Sequence, residues 1–168
     1  MEVVIRNAET EDVNKILEIV NHEILHSTVI YEYKERTLEQ QLEWFEQKQA
    51  DGLPVIVAEI GGRVVGFGTY GTYGTFRTRP AYQFSVEHSV YVSHESRTNG
   101  VGKQLLTKLI KLAKDNGFHV MVAGVDSSNQ QSFAFHKKFG FKEVGTFKEV
   151  GFKFDKWLDI RFLQLILD

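Results

Sequence analysis

The chain of 168 residues contains no cysteine. This absence excludes a thiolate nucleophile and any cysteine-ligated metal. The chain also has no apolar run as long as a membrane span, and Met1–Arg6 do not form a signal-peptide layout. By default we expect a cytoplasmic location and no membrane partner.

A basic surplus is also missing, since the formal net charge is −2 and the sequence pI is about 6.3. Nucleic-acid binders normally present a basic surface, so we expect no nucleic-acid partner. The hydrophobic share of 42% and the charged share of 25% are ordinary for globular proteins. A length of 168 residues predicts a single domain, residues 1–168, with a substantial core of its own.

Apolar periodicity and turn residues predict an α/β order of elements. Thr37 and Gln40 have the spacing of a capping box, and Gly61-Gly62 has the composition of a two-residue hairpin. Strands are expected at 3–5, 55–60, 63–70, 84–92 and 120–125, with a strand pair at 143–167 that turns near 154–156. Helices are expected to start at 10 and 37, to span about 99–116, and to end at 140.

The most informative segment joins the strand ending Val90-Tyr91-Val92 to the helix that follows. Between them lies Arg97-Thr98-Asn99-Gly100-Val101-Gly102-Lys103. A helix N-terminus offers free N–H donors, and glycines permit close backbone approach, so the turn suits a phosphate group. A glycine turn that opens a helix for structural reasons alone is the alternative. A P-loop would need glycine at Arg97, and a dinucleotide fingerprint would need glycine at Leu105.

The pattern Arg97-x-x-Gly100-x-Gly102 resembles the acyl-CoA signature of the GNAT superfamily of N-acetyltransferases. Downstream, Asn129-x-x-Ser132-x-x-Phe135-His136, followed by Gly140-Phe141, resembles the second motif of that superfamily, with His136 at the usual tyrosine position. Together with Glu87-His88-Ser89 and a C-terminal segment from Gly151 to Asp159, these motifs are similar to the phosphinothricin and methionine sulfoximine N-acetyltransferase branch.

The resemblance covers essentially the whole chain and implies a GNAT fold. In that fold a central mixed, mostly antiparallel sheet is flanked by helices and splayed at the acetyl-CoA site. It implies acetyl-CoA as co-substrate, no metal, and a homodimer; apolar C-terminal strands support the homodimer only weakly. The cofactor-binding residues that it implies are Val90, Tyr91, Val92, Arg97, Thr98, Asn99, Gly100, Val101, Gly102, Lys103 and Asn129.

Acetyl transfer to an amine needs a deprotonated amine, a stabilised oxyanion and a protonated leaving thiolate. The resemblance places the oxyanion donors at the backbone of Val90–Val92. We expect Glu87 to take the ammonium proton, directly or through water; a solvated strand carboxylate is the alternative. His88 would point to the opposite face of a regular strand and is the weaker candidate for this role. His136 is the candidate acid for the thiolate, unless it merely packs or caps its helix.

An anionic amino-acid substrate needs cationic, preferably bidentate donors. Arg77 and Arg79 precede the Glu87 strand, and the resemblance favours Arg77. Tyr31 and Lys153 are further substrate-binding candidates; for each of them, an ordinary structural role at the surface or in the core is the alternative. The expected activity is acetylation of the α-amine of a small amino acid or glutamate analogue in a ternary complex. Another small amine, such as a polyamine, and a non-catalytic acyl-CoA sensor remain alternatives.

His22-Glu23-Ile24-Leu25-His26 matches the zinc-protease pattern His-Glu-x-x-His. Both histidines would lie on one face of a helix, with Glu23 as base. The apolar stripe of the same helix lies on the opposite face, so the histidines should face solvent or a partner subunit. No third ligand is evident, and a metal site is therefore not expected.

Overall fold

The computed structural model describes residues 2–72, 79–97 and 100–168. Seven strands form one sheet: β1 Val3–Asn7, β2 Val55–Ile60, β3 Arg63–Thr72, β4 Ser85–Val92, β5 Val120–Asp126, β6 Lys142–Lys153 and β7 Lys156–Ile166. Four α-helices accompany it: α1 Val13–His26, α2 Leu38–Ala50, α3 Val101–Asp115 and α4 Gln130–Lys138. Short 3₁₀ turns occur at Thr10–Asp12, Pro80–Tyr82 and His94–Ser96.

The strand order in the sheet is β1-β2-β3-β4-β5-β7-β6. Every neighbouring pair is antiparallel except β4 and β5, which run parallel through three residue pairs from Ser85–Val120 to Glu87–Val122. The expected mixed, mostly antiparallel sheet is confirmed, as is its splay, because β4 runs on to Val92 without pairing to β5. The last strand inserts between β5 and β6.

Local sequence signals account for several boundaries. The capping box of α2 is present: Gln40 N–H donates to Thr37 Oγ1 at 3.2 Å, and Thr37 N–H donates to Gln40 Oε1 at 2.9 Å. Gly61 and Gly62 have φ values of 57° and 78°, as a tight primed turn requires. The first helix differs from expectation, because a 3₁₀ turn occupies residues 10–12 and the α-helix begins at Val13.

Two hydrophobic clusters lie on opposite faces of the sheet. One face packs against α1 and α2 through a cluster that includes Val20, Phe45 and Phe67. The other packs against α3 through a cluster that includes Leu105, Leu109 and Met121. We call these the α1/α2 face and the α3 face. Because side chains alternate along a strand, consecutive residues of β4 and β5 point to different faces. Within the described ranges, no helix is long and apolar enough to cross a membrane.

Candidate active site

A cleft of about 780 Å³ opens where β4 and β5 separate. Its lining residues come from β4, the turn before α3, α4, and the α1/α2 face: Glu23, Val29, His88, Val90, Tyr91, Val92, Arg97, Gly100, Gly102, Lys103, Asn129, Gln131, Ser132, Phe135, His136, Lys138 and Phe139. The cleft therefore brings together nine of the residues that the sequence had suggested: Val90, Tyr91, Val92, Arg97, Gly100, Gly102, Lys103, Asn129 and His136.

The wall formed by β4 carries free backbone groups. Residues 88–92 pair with β3 on one edge, from His88–Tyr70 to Val92–Gly66, and pair with no strand on the edge facing β5. Backbone N–H and C=O groups alternate between the two edges of a strand, so some of them point into the cleft. This edge can donate hydrogen bonds to a carbonyl oxygen held in the cleft.

The turn before α3 forms one end of the cleft. Gly100 is the N-cap of α3 and has φ 69°, a left-handed conformation that favours glycine. A Cβ on Gly102 would lie 3.7 Å from both Phe135 and Val92, which is ordinary contact, so the backbone fold does not require this second glycine. Val101 is only 1% exposed and packs in the core rather than lining the cleft. Thr98 and Asn99 lie outside the described residues.

Arg97 reaches from this turn to α1. Its Nη2 donates to Oε1 of Glu23, whose side chain is 4% exposed, whereas the Arg97 side chain is 55% exposed. Glu23 also accepts a hydrogen bond of 2.6 Å from the Ser27 hydroxyl. No pattern in the sequence indicates this contact, because Glu23 is noticeable there only as part of the His-Glu-x-x-His pattern. The ion pair links the turn before α3 to the end of α1.

Asn129 stands at the N-terminus of α4. Its Oδ1 accepts a hydrogen bond of 3.0 Å from the backbone N–H of Ser132, so the residue caps the helix. The cap occupies the side-chain oxygen, and Asn129 also lines the cleft. A single residue thus starts α4 and contributes a polar group to the cleft.

His136 and His88 form a buried pair beside the cleft. The two Nε2 atoms lie 2.9 Å apart, and Nδ1 of His136 lies 2.7 Å from the carbonyl oxygen of Ser132. Because a carbonyl only accepts, Nδ1 of His136 carries the proton, and in a neutral pair His88 Nε2 must donate to His136 Nε2. Nδ1 of His88 is then a bare acceptor; it is buried and has no hydrogen-bond partner among the residues that the structure describes.

Both members of this histidine pair are held in the neutral form. Burial lowers the pKa of His88 to about 3, with a further contribution from the charge of His136. Burial also lowers the pKa of His136, and its hydrogen bond to Ser132 opposes this shift. Because both ring nitrogens of His136 are engaged, the imidazole can reach a group in the cleft only if the contact between the two rings opens.

Glu87 lies on the other face of the sheet. It is half-buried, burial raises the pKa of its carboxyl group, and no charged neighbour or hydrogen bond within the described chain offsets that shift. Glu87 is also the last residue of β4 that pairs with β5. The carboxylate therefore stands at the start of the splay, on the face opposite His88, where it can accept a proton from a cationic group.

The remaining substrate candidates have different surroundings. The Tyr31 hydroxyl donates to Asp126 Oδ2 at 2.7 Å, and burial together with this carboxylate raises the pKa of the phenol. Lys153 is 3% exposed, and its Nζ donates to the carbonyl oxygens of Ser27 and Ile30 at 2.8 and 2.7 Å. Its ammonium is thus engaged by the loop after α1. Arg79 is exposed, and Arg77 lies outside the described residues.

The histidines of the His-Glu-x-x-His pattern lie outside the cleft. His22 stacks on His94 with a centroid distance of 4.1 Å, and its ring centroid is 4.7 Å from that of His26. In the part of the chain that the structure describes, no group of three or more His, Cys, Asp or Glu side chains has an arrangement that could hold a metal ion.

Comparison with known proteins places these features in context. The model of the Acetyltransferase (GNAT) family matches residues 17–141. The chain is 40% identical to the L-methionine sulfoximine/L-methionine sulfone acetyltransferase of Salmonella typhimurium, over 98% of this chain and 94% of that protein. An N-acetyltransferase from Staphylococcus aureus Mu50 superposes with a TM-score of 0.97 at 45% identity, over 100% of both chains. A phosphinothricin acetyltransferase from Sinorhizobium meliloti, solved in complex with AcCoA, superposes with a TM-score of 0.93 at 34% identity, over 99% of this chain and 89% of that one.

Proposed function

The chain belongs to the GNAT family and is an acetyl-CoA-dependent N-acetyltransferase, and on this basis we propose that it acetylates the α-amine of a small amino acid or glutamate analogue. Relatives that align with almost the whole chain are named for phosphinothricin, methionine sulfoximine and methionine sulfone, and we propose the same class of substrate here. We propose direct transfer in a ternary complex; the absence of cysteine excludes an acyl-cysteine intermediate.

The residues of the cleft fit acetyl-CoA. The N–H groups at the start of α3, together with Gly100, Gly102 and Lys103, form the donor-rich end that a pyrophosphate needs. Asn129 lies along the wall of the cleft, and the opened edge of β4 offers N–H donors for a carbonyl oxygen. When bound, acetyl-CoA supplies an acetyl thioester.

One observation carries the proposal: Glu87 stands where β4 leaves β5 and the cleft opens, on the face of β4 opposite His88. An ammonium group that approaches from the α1/α2 face encounters a half-buried carboxylate with a raised pKa. Such a group is a better proton acceptor than an exposed carboxylate, because its basicity is higher. Glu87 binds the ammonium, takes its proton and leaves a nucleophilic amine at the gap between the strands.

His136 lines the cleft, and its role as acid for the leaving thiolate stays a prediction. Arg79 and Arg77 remain the proposed donors to the substrate carboxylate, with Tyr31 as a further contact. For Lys153, we propose that the bonds to the Ser27 and Ile30 carbonyls shape the substrate side by holding the loop after α1.

A thiol-release assay with acetyl-CoA and a panel of amines tests the substrate class. We expect methionine sulfone or methionine sulfoximine to release CoA, and 3-(methylsulfonyl)propylamine, which lacks the carboxylate, to react at least about tenfold more slowly. A preference for the decarboxylated amine, or for a polyamine such as spermidine, would contradict the proposed substrate class and favour the alternative of another small amine.

We also propose that the protein is a homodimer in the cytoplasm. Large apolar side chains are exposed along β6, β7 and their turn: Val144, Phe147, Val150, Phe152, Phe154, Trp157 and Ile166. Contiguous apolar surface of this kind is typical of a subunit interface. Light scattering at micromolar concentration tests the dimer, and a monomeric mass would refute it.

A further inference from the structure

Gly124 is the exposed residue of an otherwise covered strand. In β5 all other residues are buried or half-buried. Met121, Ala123 and Val125 belong to the cluster beneath α3, so Gly124 faces the α1/α2 side, as Glu87 does. Since β4 and β5 last pair at Glu87–Val122, Gly124 lies two residues beyond the point where the strands separate. It therefore forms the floor of an open space on the Glu87 side.

The surroundings of Gly124 define this space. A Cβ built on Gly124 would lie 3.2 Å from Glu87 Oε1, 3.1 Å from Ile160 Cδ1 and 3.4 Å from Phe162 Cε1. The carboxylate and two apolar side chains thus converge on the position where any other residue would place its first carbon. A cationic nitrogen on an aliphatic carbon matches this combination of one acceptor and an apolar wall.

The backbone conformation does not require glycine at this position, although the ends of three side chains crowd the place of a Cβ. Gly124 is not among the described residues with positive φ, and the three atoms nearest to its virtual Cβ are side-chain ends rather than backbone. Glycine in a strand interior also lowers stability relative to alanine. A side chain at position 124 would press on Glu87 Oε1, Ile160 and Phe162, and would cover the exposed surface next to the carboxylate.

We propose that Gly124 determines the specificity of the amine site, because a side chain there would displace Glu87 or cover the exposed surface from which the amine nitrogen and its carbon reach the carboxylate. The inference rests on the proposed function of Glu87 and extends it to the shape of the site. The site accepts a primary amine on a saturated carbon, and any side chain at position 124 excludes that carbon.

The test compares Gly124→Ala with the wild type, using the amine that the panel identifies as the best substrate. The three neighbours of the added methyl group are ends of side chains and can move by a few tenths of an ångström, so the variant should fold. We expect the KM of the amine, and its Kd in a calorimetric titration of the enzyme–CoA complex, to rise about tenfold or more, since a single methyl group in a pocket has effects of this size. The kcat and the Kd of acetyl-CoA should change less than about threefold.

Gly145→Ala is the matched control, because Gly145 also lies in a strand of this sheet and has no atom within 4 Å of its virtual Cβ. It should leave both substrates unaffected. An unchanged amine KM in Gly124→Ala would overturn the proposal. A lower kcat with an unchanged KM would also overturn it, since that result would mean that the methyl group only displaces Glu87. Failure of the proposed function is distinguishable, because it shows in the wild type as a panel without a reactive amino acid.

Discussion

When the pH is lowered, the free energy of unfolding should fall much less in the His88→Gln variant than in the wild type. The folded protein holds His88 neutral, with its pKa lowered from 6.5 to about 3 by burial and by His136. The unfolded chain binds a proton at this residue below its ordinary pKa, whereas the folded chain does not. The stabilisation from a lowered histidine pKa is thus fully present above the unfolded pKa and declines as the pH falls toward the folded pKa.

The size of the effect follows from the two pKa values. Each pH unit between them is worth about 1.4 kcal/mol, so wild-type stability should fall by about 2–3 kcal/mol through His88 alone between about pH 7.5 and about pH 4.5. Glutamine does not titrate in this range. Its side-chain N–H can replace the donor that His88 Nε2 provides to His136, which keeps the acceptor of His136 satisfied.

Urea denaturation followed by tryptophan fluorescence measures the free energy of unfolding at each pH. The difference in stability between wild type and His88→Gln should shift in favour of the variant by about 2–3 kcal/mol over this range. His119→Gln, which removes an exposed imidazole before β5, is the control. Parallel pH dependences for wild type and His88→Gln would refute the assignment of a buried, neutral His88.

Three further outcomes are expected. Glu87→Gln should lower kcat/KM for the amine by ~10²–10⁴-fold and leave acetyl-CoA affinity nearly intact, as acetylation kinetics would show. The variant should lose no stability at neutral pH, because burial raises the pKa of the Glu87 carboxyl and the ionised form therefore costs folding free energy above the ordinary carboxyl pKa. A variant that is less stable in urea denaturation would contradict this account. Gly102→Val should fold normally but bind acetyl-CoA at least about tenfold more weakly, because the valine methyl groups extend into the cleft beyond the position of the Cβ. Undiminished binding in a calorimetric titration would refute the proposed position of the cofactor. The changes in acetyl-CoA binding free energy caused by Glu23→Gln and Arg97→Gln should, when summed, differ from the change in the double variant by about 1 kcal/mol or more, since the two side chains share one ion pair. Strictly additive changes would show that the ion pair does not position the turn before α3.

Features encoded over short distances were predictable from the sequence. The capping box of Thr37, the turn at Gly61-Gly62 and the glycine turn before α3 are each specified by a few neighbouring residues. Alternation along β4 was enough to place Glu87 and His88 on opposite faces. The chain turn at Phe154-Asp155 was predicted as well, although both residues adopt positive φ without being glycine.

Contacts between residues that are distant in sequence were not predictable. No local pattern indicates that β7 inserts between β5 and β6, or that His88 meets His136 across 48 positions. Glu23 and Arg97 are 74 positions apart, and each has an ordinary local explanation. The open space at Gly124 depends on the splay of two strands, which only the assembled sheet reveals.

The short parallel ladder between β4 and β5 has a consequence for how the chain folds. Strands β1–β4 pair antiparallel in sequential neighbours, and β5–β7 form a second antiparallel group. Only three residue pairs join the groups within the sheet, across the connection that contains α3. Three pairs offset less of the loop-closure entropy than the longer ladders within each group do, so we expect this seam to form last. The gap in which we propose that acetyl-CoA binds would then arise in the final step of folding, and a ligand bound across it would slow the first step of unfolding.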